Sequence, residues 1–114
     1  MFMNSLSDMI AKTQYSLRQI KISENLYSRL KHYCVVKKIT LTNFYKNMLD
    51  WFIQQRQSET NFVFLASVNH GKRLSLWIRN DQLHHVKQVA DQAQVSDARV
   101  IYTYFLTYVD TIGL

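Results

Sequence analysis

Five side chains in two short alternating stretches have the types and the spacing that molecular recognition needs. In Gln19-Ile20-Lys21-Ile22 and in Leu74-Ser75-Leu76-Trp77-Ile78-Arg79, every second residue is aliphatic. A period of two sends Gln19 and Lys21, and likewise Ser75, Trp77 and Arg79, to one face of a strand and the aliphatic residues to the other. An amide, an ammonium, a hydroxyl, an indole and a guanidinium on outward faces can exchange hydrogen bonds, attract anions and stack. They are not a nucleophile with its base. Adjacent His84 and His85 would point about 100° apart on a helix, too far to share an ion, and His32 and Cys34 are equally ill spaced for a metal. No Ser-His-Asp set, Walker loop, glycine-rich phosphate loop or carboxylate pair stands out. Neither catalysis, a cofactor nor a metal is expected.

The elements that must position these residues are announced by an internal repeat. At an offset of 56, Ile20 and Ile22 recur as Leu76 and Ile78, Tyr27 and Leu30 as Leu83 and Val86, and Phe44-Tyr45 as Val100-Ile101. Met48-Leu49 recurs as Tyr104-Phe105 and Phe52-Ile53 as Tyr108-Val109, with no gap (76 − 20 = 56; 108 − 52 = 56). Identity is mostly lost while the apolar pattern survives, which is the signature of two copies of one supersecondary unit. Each copy begins with a strand. A first helix follows, capped by Ser23 in one copy and Asn80 in the other, with apolar residues at spacings of three and four. Thr40 and Ser96, equivalent at 96 − 40 = 56, cap a second helix whose stripes are Phe44, Met48, Phe52 and Val100, Tyr104, Tyr108. Gly113 suits a helix C-terminus. The expected fold is mainly α with a short two-stranded antiparallel ribbon, β-α-α twice. Residues 1–15 form an arm, 16–56 the first unit, 57–72 a linker and 73–114 the second unit. A lone short strand is unstable, so each strand needs the other and the units fold as one domain.

Bulk composition agrees. The 114 residues are 47% hydrophobic, with no proline and two glycines, as a packed helical globule requires. A single cysteine, Cys34, excludes an internal disulfide and fits a reducing cytosol. Residues 1–15 lack the apolar core of a signal peptide, and the longest apolar run, Phe62 to Val68, is far short of the roughly 20 residues that span a bilayer. That run reads as a strand or a covering linker, and the chain as cytoplasmic. The net charge is +6, and it is uneven. Residues 1–57 carry nine Lys/Arg against three Asp/Glu, whereas residues 58–114 carry five against five. Such a balance attracts polyanions.

The segments Gln19-Ile-Lys-Ile-Ser-Glu-Asn-Leu-Tyr and Ile39-Thr-Leu-Thr-Asn-Phe-Tyr together resemble a ribbon-helix-helix unit of the MetJ/Arc superfamily. Leu74-Ser-Leu-Trp-Ile-Arg-Asn-Asp and Val95-Ser-Asp-Ala-Arg-Val-Ile resemble a second, so the likeness covers 17–53 and 73–110. The chain departs from the family at Ser23 and Arg79, where Pro or Asp is frequent. It departs again at Lys38 and Gln94, where the turn often holds Gly. The resemblance implies an intramolecular pseudo-dimer, like the tandem accessory proteins of conjugative plasmids, whose ribbon enters the major groove of double-stranded DNA. Under it, Lys21 donates to guanine O6/N7, Gln19 bonds adenine, Ser75 bonds either kind of edge, Trp77 meets a thymine methyl or a sugar, and Arg79 reaches a base or a phosphate. Phosphate falls to the backbone N–H groups after the caps, at Thr40, Leu41, Thr42, Ser96 and Asp97, and to Arg73.

Two biological uses fit that architecture: transcriptional repression, and assembly of a relaxosome at a plasmid transfer origin with a relaxase or further copies of the chain as partners. Trp77 has a second reading, facing a protein partner or the Phe62–Leu65 segment. The rival class is a protein-interaction module such as an antitoxin. The sequence stops shortly after the second helix of the second unit, which weighs toward DNA, while residues 1–15 remain a candidate partner-binding arm.

Overall fold

The computed structural model describes residues 14–55 and 63–114. Most of the expected arm, and residues 57–62 of the expected linker including Phe62, lie outside them. The described elements run β1 (Tyr15–Ile22), α1 (Glu24–Lys37), α2 (Leu41–Gln55), β2 (Lys72–Arg79), α3 (Asn80–Ala93) and α4 (Asp97–Thr111). The architecture is mainly helical, with β1 and β2 paired antiparallel in one two-stranded sheet.

Each strand is eight residues long, so β1 starts well before the alternation that announced it. The register pairs Tyr15 with Arg79, Leu17 with Trp77, Gln19 with Ser75 and Lys21 with Arg73. The opposite face presents Ile20, Ile22, Leu74, Leu76 and Ile78, all buried. Each contributes about 1.5–3 kcal/mol by leaving water. That apolar face closes on α2 and α4. Phe52 and Tyr104 stack with centroids 3.9 Å apart and planes within 5°, while Phe44 meets Tyr108 edge-on at 5.4 Å. Such aromatic pairs add about 0.5–1.5 kcal/mol beyond the area they bury. Cys34 is buried in the same core, with its thiol pushed up by desolvation.

The helix ends carry the repeat further than side-chain identity does. The Ser23 hydroxyl accepts from Leu26 N–H at 3.1 Å, that of Thr40 from Asn43 at 3.1 Å and that of Ser96 from Arg99 at 3.2 Å. Asn80, expected as a cap, is instead the first residue of α3. Arg79 holds the cap position without a side-chain bond, and the Asn80 carboxamide oxygen accepts from the Ser16 hydroxyl at 2.7 Å. At the other ends, Lys38 and Gln94 adopt left-handed φ of 57° and 59°. Ile39 N–H then reaches Cys34 O and Val95 N–H reaches Ala90 O, each at 3.0 Å, which closes two matching Schellman turns. Gly113, at φ 75°, ends α4 as expected.

Residues 63–68 form neither helix nor strand. Leu65 N–H donates to the buried Thr103 hydroxyl at 2.9 Å, and the Ser67 hydroxyl accepts from Lys21 N–H at 3.4 Å, so the segment runs from α4 to the free edge of β1. At the following turn, a Cβ on Gly71 (φ 144°) would stand 2.2 Å from the Ile22 carbonyl oxygen, and only glycine fits. No helix among the described residues is long and apolar enough to cross a membrane.

Candidate nucleic-acid interface

The outward face of the ribbon gathers all five residues read from the sequence, and adds three. Because side chains alternate along each strand, Tyr15, Leu17, Gln19 and Lys21 of β1 share a face with Arg73, Ser75, Trp77 and Arg79 of β2. Gln19 and Ser75 stand directly opposite one another. Since 75 − 19 = 56, this pair coincides with the repeat's own offset. The Gln19 side-chain amide donates to the Ser75 hydroxyl at 3.3 Å. Its second N–H and its carbonyl oxygen are left to reach outward.

On one side of that pair, Lys21 faces Arg73. Arg73, assigned to phosphate from the sequence, belongs to the same outward row as Ser75, Trp77 and Arg79, because it lies two residues before Ser75. Together with Gln19 and Ser67 these two cations line an open concavity of about 300 Å³. Lys21 Nζ donates to Asn69 O at 3.4 Å, which tethers it beside the segment that precedes β2.

On the other side, Leu17 faces Trp77, with 40% and 49% of their surfaces exposed. Beyond them, Tyr15 faces Arg79. Arg79 is not a free cation. It is ion-paired with Asp81, which holds the guanidinium's pKa up and the Asp81 carboxyl's down. Segment 63–65, considered as a cover for Trp77, lies against α4 instead, where Leu65 is anchored on Thr103 and Phe64 packs on the core.

The two second-helix N-termini differ in charge. Thr42 and Asn43 of α2 line a narrow crevice of about 30 Å³ with Tyr15, Trp77 and Arg79, so that terminus flanks the ribbon. Its first turn holds no acid, and Lys46, one turn in, is ion-paired with Asp50 at 3.2 Å. The first turn of α4 holds Asp97, whose carboxylate pairs with Arg18 at 3.4 Å. A carboxylate there repels phosphate and competes for the same N–H groups and dipole. The sequence treated Thr40-Leu41-Thr42 and Ser96-Asp97 alike; in the structure they differ in that only the second carries an acid, paired with Arg18.

The histidines are separated by more than angle. His84 is exposed, while His85 is buried with a ring nitrogen 3.3 Å from the Tyr104 hydroxyl. Sequence reasoning missed Tyr15, Leu17 and the outward role of Arg73. The signal existed for Arg73, since the period of two extends to it. It was absent for Tyr15 and Leu17, because the adjacent polar residues Arg18 and Gln19 invert the phase of the alternation, so that Leu17 stands where the pattern from Ile20 onward has polar residues. Comparison with protein-family models, with curated proteins and with solved structures finds no match to this chain.

Proposed function

We propose that this chain binds double-stranded DNA in a sequence-dependent manner, with the outward face of its β-ribbon in the major groove, and that its two β-α-α halves act as a pseudo-dimer of ribbon-helix-helix type. The observation that carries this is the register. An antiparallel pair of strands sets Gln19 against Ser75 and Lys21 against Arg73 on the side away from the core. The major groove admits a two-stranded ribbon, and these are residue types that bond base edges there. The coincidence of the pairing centre with the 56-residue offset supports a pseudo-dimer. The net charge of +6 supports a polyanionic partner. The Thr40-Leu41-Thr42 turn would hold a flanking phosphate and fix the ribbon's depth. The protein then serves as a transcriptional regulator or a relaxosome accessory factor, without catalysis.

Fluorescence anisotropy against duplexes from the DNA around its own gene, and against scrambled duplexes, tests this across a salt series. Binding is expected to depend on sequence and to weaken steeply with salt. Replacing Gln19 and Lys21 together by alanine should abolish the preference for the specific duplex while leaving thermal unfolding nearly unchanged. Retained preference would refute the ribbon as the reading element.

One observation favours a second use, as a protein-interaction module. Val35 and Val36 of α1 are 76% and 60% exposed, and Val36 lines an open, largely apolar concavity with Tyr33 and Leu114. Equal, weak binding to every duplex, with co-purification of a partner lost in a Val35→Ser/Val36→Ser variant, would move the function there.

A further inference from the structure

We infer that the ribbon reads an asymmetric site, with guanine contacted at the Lys21–Arg73 end and thymine methyl groups at the Leu17–Trp77 end. This rests on the DNA-binding function proposed above, and it assigns the bases that a ribbon of this kind would leave open. Three observations carry it.

The two ends differ in charge. Lys21 and Arg73 stand opposite each other on the outward face. At the other end the only cation of the outward face is Arg79, neutralised by Asp81. The ends differ equally in apolarity. Leu17 and Trp77 are paired across the strands with nearly half their surfaces exposed, and Tyr15 stands two residues beyond Leu17. An apolar pair held open at one end of a polar face finds one matching chemistry in the major groove, the thymine methyl group, just as a paired lysine and arginine match guanine O6 and N7. Finally, the repeat itself makes these ends counterparts. Trp77 corresponds to Lys21 (77 − 56 = 21) and Arg73 to Leu17 (73 − 56 = 17), so each cation at one end is replaced by an apolar group at the other. A symmetric ribbon would read a palindrome; this one has exchanged charge for apolar surface across its centre.

Spacing follows from the strands. Residues 17 and 21 are four apart, about 13 Å along a strand at roughly 3.3 Å per residue. At about 3.4 Å per base-pair step, the guanine and the thymine then fall about four steps apart. The centre, Gln19 and Ser75, lies over the steps between them.

The test uses the full chain and a random duplex pool. Selection is expected to enrich one guanine-containing end and one thymine-containing end about four steps apart, with no mirror relation between them. On the enriched duplex, deoxyuridine in place of the thymine removes only the methyl group and should weaken binding roughly three- to fivefold, the worth of one buried methyl. 7-Deazaguanine at the other end removes N7 and should weaken it about fivefold or more. Trp77→Ala should bind the thymine and uracil duplexes equally while still sensing 7-deazaguanine. Lys21→Ala/Arg73→Ala should show the reverse. The wild-type base-analogue measurements require no variant to fold. A palindromic enriched site, or a wild-type chain indifferent to the missing methyl group, overturns the inference while sequence-dependent binding stands. A pool with no enrichment overturns the DNA-binding function and this inference with it.

Discussion

Tyr45 sits in the core 1% exposed, and its hydroxyl has no hydrogen-bond partner among the described residues. Burial pushes its pKa well above the ordinary value near 10, and Cys34 and Tyr27 act in the same direction. The folded chain therefore holds this proton more tightly than the unfolded chain does. That stability is fully present below the unfolded value and drains away as the pH climbs from about 10 toward the folded value. Cys34 and Tyr108, also raised by burial, add to the same alkaline loss. Tyr45→Phe removes a buried hydroxyl without opening a cavity. It is expected to leave stability at pH 7 unchanged or raised by about 1 kcal/mol, and to flatten part of the decline above about pH 10. Urea denaturation at both pH values checks this, and a clear loss at pH 7 would mean that the hydroxyl is satisfied. On the ribbon, residue chemistry was largely legible, since Gln19, Lys21, Ser75 and Trp77 face outward as their alternation required. The pairing of Arg79 with Asp81 was not, because a strand pattern says nothing of a partner two residues on around a helix start.

At the scale of elements, both Schellman turns place a side chain where glycine is the easier residue. Lys38→Gly and Gln94→Gly relieve left-handed strain at the cost of extra freedom in the unfolded chain, and each is expected to stabilise by about 0.5–1 kcal/mol. Gly71→Ala should do the opposite. The added methyl group meets the Ile22 carbonyl oxygen, a backbone atom that cannot swing aside, and φ 144° is hostile to alanine. A loss of about 1–3 kcal/mol is expected from thermal unfolding. The helices themselves were legible from caps and from spacings of three and four. The start of β1 was not, since residues 15–18 pair through their backbone with β2 whatever their side-chain pattern.

At the scale of the molecule, the two halves depend on each other. The only strand partner of β2 among the described residues is β1, and the stacked Phe52 and Tyr104 come from different halves. A fragment of residues 63–114 made alone is therefore expected to show no cooperative unfolding as a monomer. If it folds, it should do so as a dimer whose two β2 strands pair about Ser75. Circular dichroism with sedimentation at several concentrations decides, and a stably folded monomeric fragment would contradict the interdependence. The whole chain, which contains both strands, is expected to scatter light as a folded single copy.

The sequence by itself determined the local features: two β-α-α units, the caps at Ser23, Thr40 and Ser96, the apolar faces, and the outward facing of Gln19, Lys21, Ser75 and Trp77. Each of these is a matter of periodicity or of bonds within a few residues, so it is written in neighbouring letters. Only the tertiary structure decided which outward residues meet. Register brings Lys21 to Arg73 and Leu17 to Trp77, more than fifty residues apart in the chain. Packing of the sheet on α4 also brings Arg18 to Asp97, which places an ion pair at one helix terminus and not at the other. Register is fixed by how two apolar faces close over one shared core, and no single stretch of sequence carries that fit.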